Sequence, residues 1–418
     1  MSDHTPKTDG PSAPVKHAEG GPPSQDGAPA EVKDVDRPAD LRSPITWLPT
    51  VKVTIASILL ALVVGALLIV VSDRKVIEAA GYFFDYPWDF FRLSAEAIGQ
   101  SYWALFTGAV GSPDAVTQTL ERSAPLICAG LGVSLAFRTG MFNIGAQGQL
   151  VIGAICAGYV GFTFDLPPGI HLLLALLAGM AGGAVWGAIA GVLKAQTGAH
   201  EVIITIMLNY VAMSTLLFLL TKDAFQRVGS DNPRSEVVTD SALFPDVLGV
   251  HSGVLVAIAV AFGVWWLLER STIGFEMRAV GANADAARTA GMSVKKVYTL
   301  AMLIAGALAG MAAVQQILGH HDALTANVAG SLGFDAITVA LLGRATPLGT
   351  VLAGLLFGAL ASGGIQMQAS EAATPVELTQ VIQALIVLFV AAPALVRGVL
   401  RMKDTGGGAT VMAKGWGS

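Results

Sequence analysis

Apolar runs of roughly 20 residues, set apart by short polar stretches, recur along most of this chain. A helix rises 1.5 Å per residue, so about 20 apolar residues match the ~30 Å hydrocarbon core of a bilayer. On that measure the pattern predicts membrane spans near 52–71, 116–137, 142–163, 169–193, 201–221, 251–269, 297–317, 333–345, 348–366 and 377–397. The eighth is short for a full crossing and predicts a broken or half helix. Residues 82–109 are rich in aromatic side chains, which favour the headgroup zone, and predict one or two interfacial helices instead of a clean span. The fold class that follows is all-α: a polytopic membrane protein of about ten transmembrane helices, some of them broken.

Within the spans, glycine recurs at helical intervals, as in "GMAGGAVWGAIAG", "GALAGMAA" and "GTVLAGLLFGALASGG". Small residues three or four apart let helix backbones approach closely, so these positions predict tight interhelical packing. An internal repeat is also suggested. "GMFNIGAQGQLVIGA" has a loose counterpart in "SLGFDAITVALLGRA", and five spans in each half would make the halves inverted.

Composition agrees with the pattern: 53% of the 418 residues are hydrophobic, 13% are charged and the mean hydropathy is +0.63. Residues 1–46 differ, being rich in proline, glycine and charge, and read as a disordered cytoplasmic tail too long and mixed for a signal peptide. Residues 47–400 form the membrane domain, with a long loop at 270–297, and 401–418 form a second cytoplasmic tail. Lysine and arginine concentrate at 33–52, Arg138, Lys194, Arg270–Lys296 and Arg397–Lys403, which places both termini inside. Arg74 and Lys75 run against that bias. The net charge of −5 carries no nucleic-acid signal. Cys128 and Cys156 lie in apolar runs without metal-like spacing and read as small buried hydrophobes.

Candidate chemistry begins at "RTGMFNIGAQGQLVIG", residues 138–153. Asn143 and Gln147 are four apart and would share a helical face, with Gln149 pointing elsewhere. Such amides either contact a neutral polar solute or lock helices together by hydrogen bonds. Asn209, Gln315, Gln316 and Asp335 are further polar residues inside spans. An intramembrane carboxylate is a functional candidate by default. Asp335 could meet a solute or cation, pair with Arg344, or simply favour a helix N-terminus. His320 and His321 read as interfacial. No phosphate-binding G-x-x-x-x-G-K-[ST] loop, H-E-x-x-H or G-x-S-x-G motif occurs, so no catalytic or metal site is expected.

The stretch 269–298 has helix signals of its own: Asn283 can cap, "ADAARTA" favours helix and Gly291 can end it. With Glu276, Arg278, Asp285 and Arg288 close by, it outlines either a docking element or an ordinary surface helix.

"FRTGMFNIGAQGQLVIGA", "EVIITIMLNYVA", "GFEMRAVGANADAARTAGMSVKK" and "GFDAITVALLGRATPLGTVLAGLLFGAL" together resemble the permease subunits of bacterial ABC importers for nucleosides and simple sugars, within the branched-chain amino-acid permease superfamily. The resemblance covers roughly residues 100–400. It implies an inner-membrane permease that is not itself an enzyme and binds no cofactor. Partners would be a second permease chain, two cytosolic ATPase subunits that hold ATP and Mg, and an extracytoplasmic solute-binding lipoprotein. Residues 276–291 would be the coupling segment, with Glu276, Arg278, Asn283, Asp285, Ala286, Ala287 and Gly291 meeting the ATPase. Phe142, Asn143, Gln147, Gln149, Asn209, Phe334 and Asp335 would face the translocation path, the two phenylalanines stacking on a base. Rival readings are a simple-sugar permease, an ion-coupled secondary transporter using Asp335, and a scaffold without transport.

Overall fold

The computed structural model describes residues 44–230, 232–247, 249–319, 323–370 and 375–399, and those from Lys52 onward pack as one unit. Helix α1 spans Pro44–Ser72, α2 Arg74–Gly81, α3 Pro87–Val110, α4 Pro113–Arg138, α5 Ala146–Thr163, α6 Ile170–Thr197 and α7 Glu201–Leu219. After a stretch of short strands come α8 Gly253–Arg270, α9 Thr272–Ala282, α10 Ala284–Thr289 and α11 Val294–Leu318. The chain closes with α12 Leu332–Leu342, α13 Pro347–Ala369, α14 Val376–Ala391 and α15 Pro393–Val399. The only described strands form two small pairs: β1 (Arg234–Val237) with β4 (Ala323–Thr325), and β2 (Asp246–Val247) with β3 (Val250–His251).

Local signals explain many boundaries. Ser112 and Thr346 accept from Ala115 N and Gly349 N, and each is followed by a proline at the first helical position. Both choices satisfy or remove N–H groups that a helix start leaves unpaired. Pro393 cannot continue α14, so the last expected span, 377–397, is two helices.

Among the described residues seven helices are long and apolar enough to cross a membrane: the Ile55–Ser72 part of α1, α4, α6, α7, α8, α11 and α13. The all-α polytopic class is borne out. Two expected spans differ, the third and the last. The third begins at Ala146, not 142, because the backbone is irregular before it, with Gly140 at φ +76°. The eighth is an 11-residue half helix, as its length predicted. The last is interrupted at proline. Residues 87–110 form one continuous 24-residue helix with Trp88, Phe91, Trp103 and Phe106 exposed. The tail assigned to 1–46 lies outside the described residues up to 43, and 44–46 already belong to α1. The 401–418 tail, His320 and His321 also lie outside them.

The repeat is visible in the packing. The order α4–α5–α6–α7 matches α11–α12–α13–α14, and the first helix of each set packs on the third of the other. Along α6 and α11, Gly183 faces Gly306 and Gly179 faces Gly310, with backbone against backbone. Along α4 and α13, Ser134 Oγ and Thr350 Oγ1 lie 2.8 Å apart, and Gly354 and Gly358 sit on Ile127 and Ser123. The equivalent helices α4 and α11 run antiparallel: Cys128 meets Gln315 while Gly132 meets Ala305. An antiparallel relation between repeat equivalents is an inverted repeat.

Candidate functional site

After α4 ends at Arg138, seven irregular residues lead into α5. Irregular backbone at membrane depth must be satisfied by protein or by water in a cavity. Here protein does it. Asn143 Nδ2 donates to Gln149 Oε1 at 3.1 Å, and Gln149 Nε2 donates back to Asn143 Oδ1 at 3.2 Å. Both side chains are 1% exposed. Asn209, from α7, donates to Ile144 O at 3.0 Å and accepts from Gly148 N at 2.8 Å. The first turn of α5 is thus clamped by one amide from its own approach and one from a neighbouring helix.

The expected pairing of faces is corrected by this geometry. Asn143 precedes the helix, so the four-residue spacing to Gln147 has no helical meaning, and Asn143 turns to Gln149 instead. Gln147 points to the other half. Its Nε2 donates to Gly330 O at 2.8 Å and its Oε1 accepts from Gly333 N at 2.8 Å. Gly333 lies against the Gln147 backbone, where any side chain would collide. The starts of the two discontinuous helices, α5 and α12, therefore meet end to end through one glutamine.

Beside this junction lies a cleft between α4, α12, α13 and α14. It comprises two adjoining cavities of about 740 and 470 Å³ that share Arg122, Leu126, Ser331, Asp335 and Ala361. Thr338, Thr379, Gln380 and Gln383 add hydroxyl and amide groups, and Gln316 and Asn327 line the smaller part. Asp335 occupies the first turn of α12 and accepts from Ser331 Oγ at 2.7 Å. Its proposed pairing with Arg344 is not made. Arg344 lies past the far end of α12, about 13 Å along the axis at 1.5 Å per residue. Arg122 shares the cleft with Asp335 without a hydrogen bond or ion pair among the described residues, so a cation and an anion face one space with their bonding capacity largely free.

Of the seven expected path residues, Asp335 lines the cleft. Asn143, Gln147, Gln149 and Asn209 build the scaffold next to it. Phe142 stacks on Phe137 with centroids 4.8 Å apart. Phe334 is 49% exposed but lies outside the cleft lining. Sequence reasoning passed over Arg122, Gln380 and Gln383. A charged pair, Glu121–Arg122, ahead of the apolar "SAPLICAG" was the available signal. The glutamines, three apart in the last span, were another.

The loop between α8 and α11 folds as its sequence signals predict. Asn283 Oδ1 accepts from Asp285 N at 3.0 Å and Ala286 N at 2.9 Å, capping α10, and Gly291 takes φ +88°. Asp285 and Arg288 pair at 3.0 Å on the exposed face, and Arg278 reaches Glu269 at 3.8 Å. Glu276 is half-buried. Ala286 faces outward, whereas Ala287 is 4% exposed and packs back on the bundle. Close approach fixes the other end of α9. A methyl group on Gly281 would overlap the Arg138 carbonyl, and a Cβ on Gly140 would lie 3.2 Å from Gly281 Cα. Arg138 Nε in turn donates to Ala345 O at 2.9 Å.

With this geometry in place, comparison with known proteins is informative. Residues 115–391 match the family described as branched-chain amino acid transport system / permease component. The guanosine ABC transporter permease protein NupP of Bacillus subtilis is 38% identical over 366 residues, covering 85% of this chain and 97% of that one. The glucose ABC transporter permease protein TsgB13 of Haloferax volcanii is 35% identical over 302 residues, 69% of this chain and 79% of that one. The nucleoside ABC transporter permease protein NupB of Lactococcus lactis is 33% identical over 311 residues, 72% and 85% of the two chains. No solved structure matches the chain.

Proposed function

The chain belongs to the permease family of branched-chain amino acid transport systems, and from that premise we propose that it is the membrane subunit of an ATP-driven importer of nucleosides. The observation that carries the substrate class is the 38% identity to a guanosine permease across 97% of that protein's length. The cleft supports it: hydroxyl, amide and paired-sign charged groups on otherwise apolar walls suit a neutral solute rich in hydrogen-bonding groups.

In this reading the permease works in the inner membrane with both termini in the cytoplasm, beside a second permease chain. Two ATPase subunits, carrying ATP and Mg, engage the exposed face of α10 around Asn283, Asp285, Ala286 and Gly291. An extracytoplasmic binding protein delivers solute to the cleft. Asp335 and Arg122 contact the solute there, while Asn143, Gln147, Gln149 and Asn209 hold the discontinuous helices that frame the path. Contacts of this kind are weak enough to release cargo, and energy for reorientation comes from the ATPase partners.

A simple sugar is the second reading, favoured by the similarity to a glucose permease. One reconstitution decides. The complete transporter in proteoliposomes, given binding protein and internal ATP, should accumulate labelled guanosine, and excess glucose should not compete. Competition by glucose but not by nucleosides would move the chain to the sugar reading. Uptake by this chain alone, driven by an ion gradient without ATPase subunits, would overturn both.

A further inference from the structure

We propose that α12 is the element moved by the ATPase stroke, with Arg138 and Gln147 as the positioning residues that grip its two ends. The inference rests on the reading that residues 276–291 receive the ATPase.

α12 is an 11-residue helix, and the first half of the repeat holds it at both ends. At one end Arg138 Nε donates to Ala345 O at 2.9 Å, inside the turn that follows α12. In that turn Arg344 and Ala345 take φ +53° and +51°, a left-handed conformation that non-glycine residues keep only where their surroundings impose it. At the other end the Gln147 amide bonds both Gly330 O and Gly333 N at 2.8 Å.

The driving contact is Gly281, in the last turn of α9. It sits so close to the Arg138 carbonyl and to Gly140 that α9 cannot press toward the bundle without displacing them. Displacing Arg138 shifts Ala345, and the Gln147 contact at the far end is the natural pivot. α12 carries Asp335 and Thr338 on the cleft, with Ser331 at its N-cap, so a tilt of this short rigid helix changes the width of the cleft opposite Arg122. A force applied to the loop before α10 thus reaches the solute contacts through one arginine and one glutamine.

The test uses the complete transporter in proteoliposomes, with ATP hydrolysis and guanosine uptake measured on the same vesicles. Arg138→Ala should keep hydrolysis within about twofold of wild type while uptake falls at least tenfold. Arg138→Lys, which retains a cationic donor, should restore most of the uptake. Gln147→Leu should raise the ATP spent per solute in the same way. A second measurement leaves Arg138 intact. Thr338→Cys should change its labelling rate with an impermeant maleimide at least threefold between nucleotide-free and ATP-trapped states. Unchanged labelling overturns the inference, as does an Arg138→Ala protein that imports with the wild-type ATP ratio. If wild-type vesicles show no ATP-dependent uptake of nucleoside or sugar, the importer reading itself has failed.

Discussion

Asn143 and Gln149 exchange two amide hydrogen bonds, at 3.1 and 3.2 Å, in a site where each is 1% exposed. Each amide spends one N–H and its oxygen on the other, in a place bulk water does not reach. Removing one partner strands two polar atoms of the other, at a cost of about 1–3 kcal/mol. Asn143→Ala should therefore lower the thermal stability of the detergent-purified protein. Replacing both residues by leucine should cost clearly less than the sum of the single changes. Additive losses in a thermal-shift cycle would show that the pair is not coupled.

The cleft residues should behave in the opposite way. Asp335→Asn keeps the shape and the Ser331 contact but removes the charge, and Arg122→Gln does the same for the cation. Each should reduce uptake at least tenfold with the melting temperature held within a few degrees. A melting temperature that falls in step with uptake would assign both residues to folding.

Packing between α6 and α11 depends on missing side chains. Gly306 lies on the Gly183 backbone, and any Cβ there collides. Gly306→Val should destabilise by at least the 1–3 kcal/mol typical of overpacked cores. The expected readout is loss of the monodisperse peak on size exclusion. Gly263, with nothing within 4 Å of its would-be Cβ, is the matched control. Equal tolerance at both positions would contradict the packing described.

The cap of α10 offers a local test. Asn283→Ala removes two hydrogen bonds to backbone N–H groups. About 1 kcal/mol is expected for such a loss, concentrated in a six-residue helix that exposes Asp285 and Ala286. The membrane bundle should keep its melting temperature while ATPase co-purification falls. Asn283→Asp, which can still cap, should recover it; unchanged co-purification of the alanine variant would separate α10 from ATPase binding.

The loop between α8 and α11 was largely legible in the sequence because its information is local. A cap, a short helix-forming run and a stop glycine each act within a few residues, so Asn283, "ADAARTA" and Gly291 could be read in order. The half helix at 333–345 was legible for a similar reason, since its length alone rules out a full crossing. The role of the amides was not. Asn143 was read at helical spacing to Gln147, and only the broken backbone before Ala146 turns it toward Gln149.

By itself, the sequence determined the class, the rough limits of most long apolar helices (about ten spans were expected, and seven described helices are long and apolar enough to cross), the broken eighth helix and the cap of α10. These follow from transfer free energy and local hydrogen bonding, which are sums over neighbouring residues. Tertiary structure alone decided that Gln147 joins the starts of α5 and α12, 186 residues apart at Gly333. It also decided that Arg122 shares a cleft with Asp335, and that Arg138 ties the approach to α5 to the turn at Ala345. Such partners are chosen by which helices pack together, and that choice rests on shape at the glycine contacts, a property of two surfaces at once.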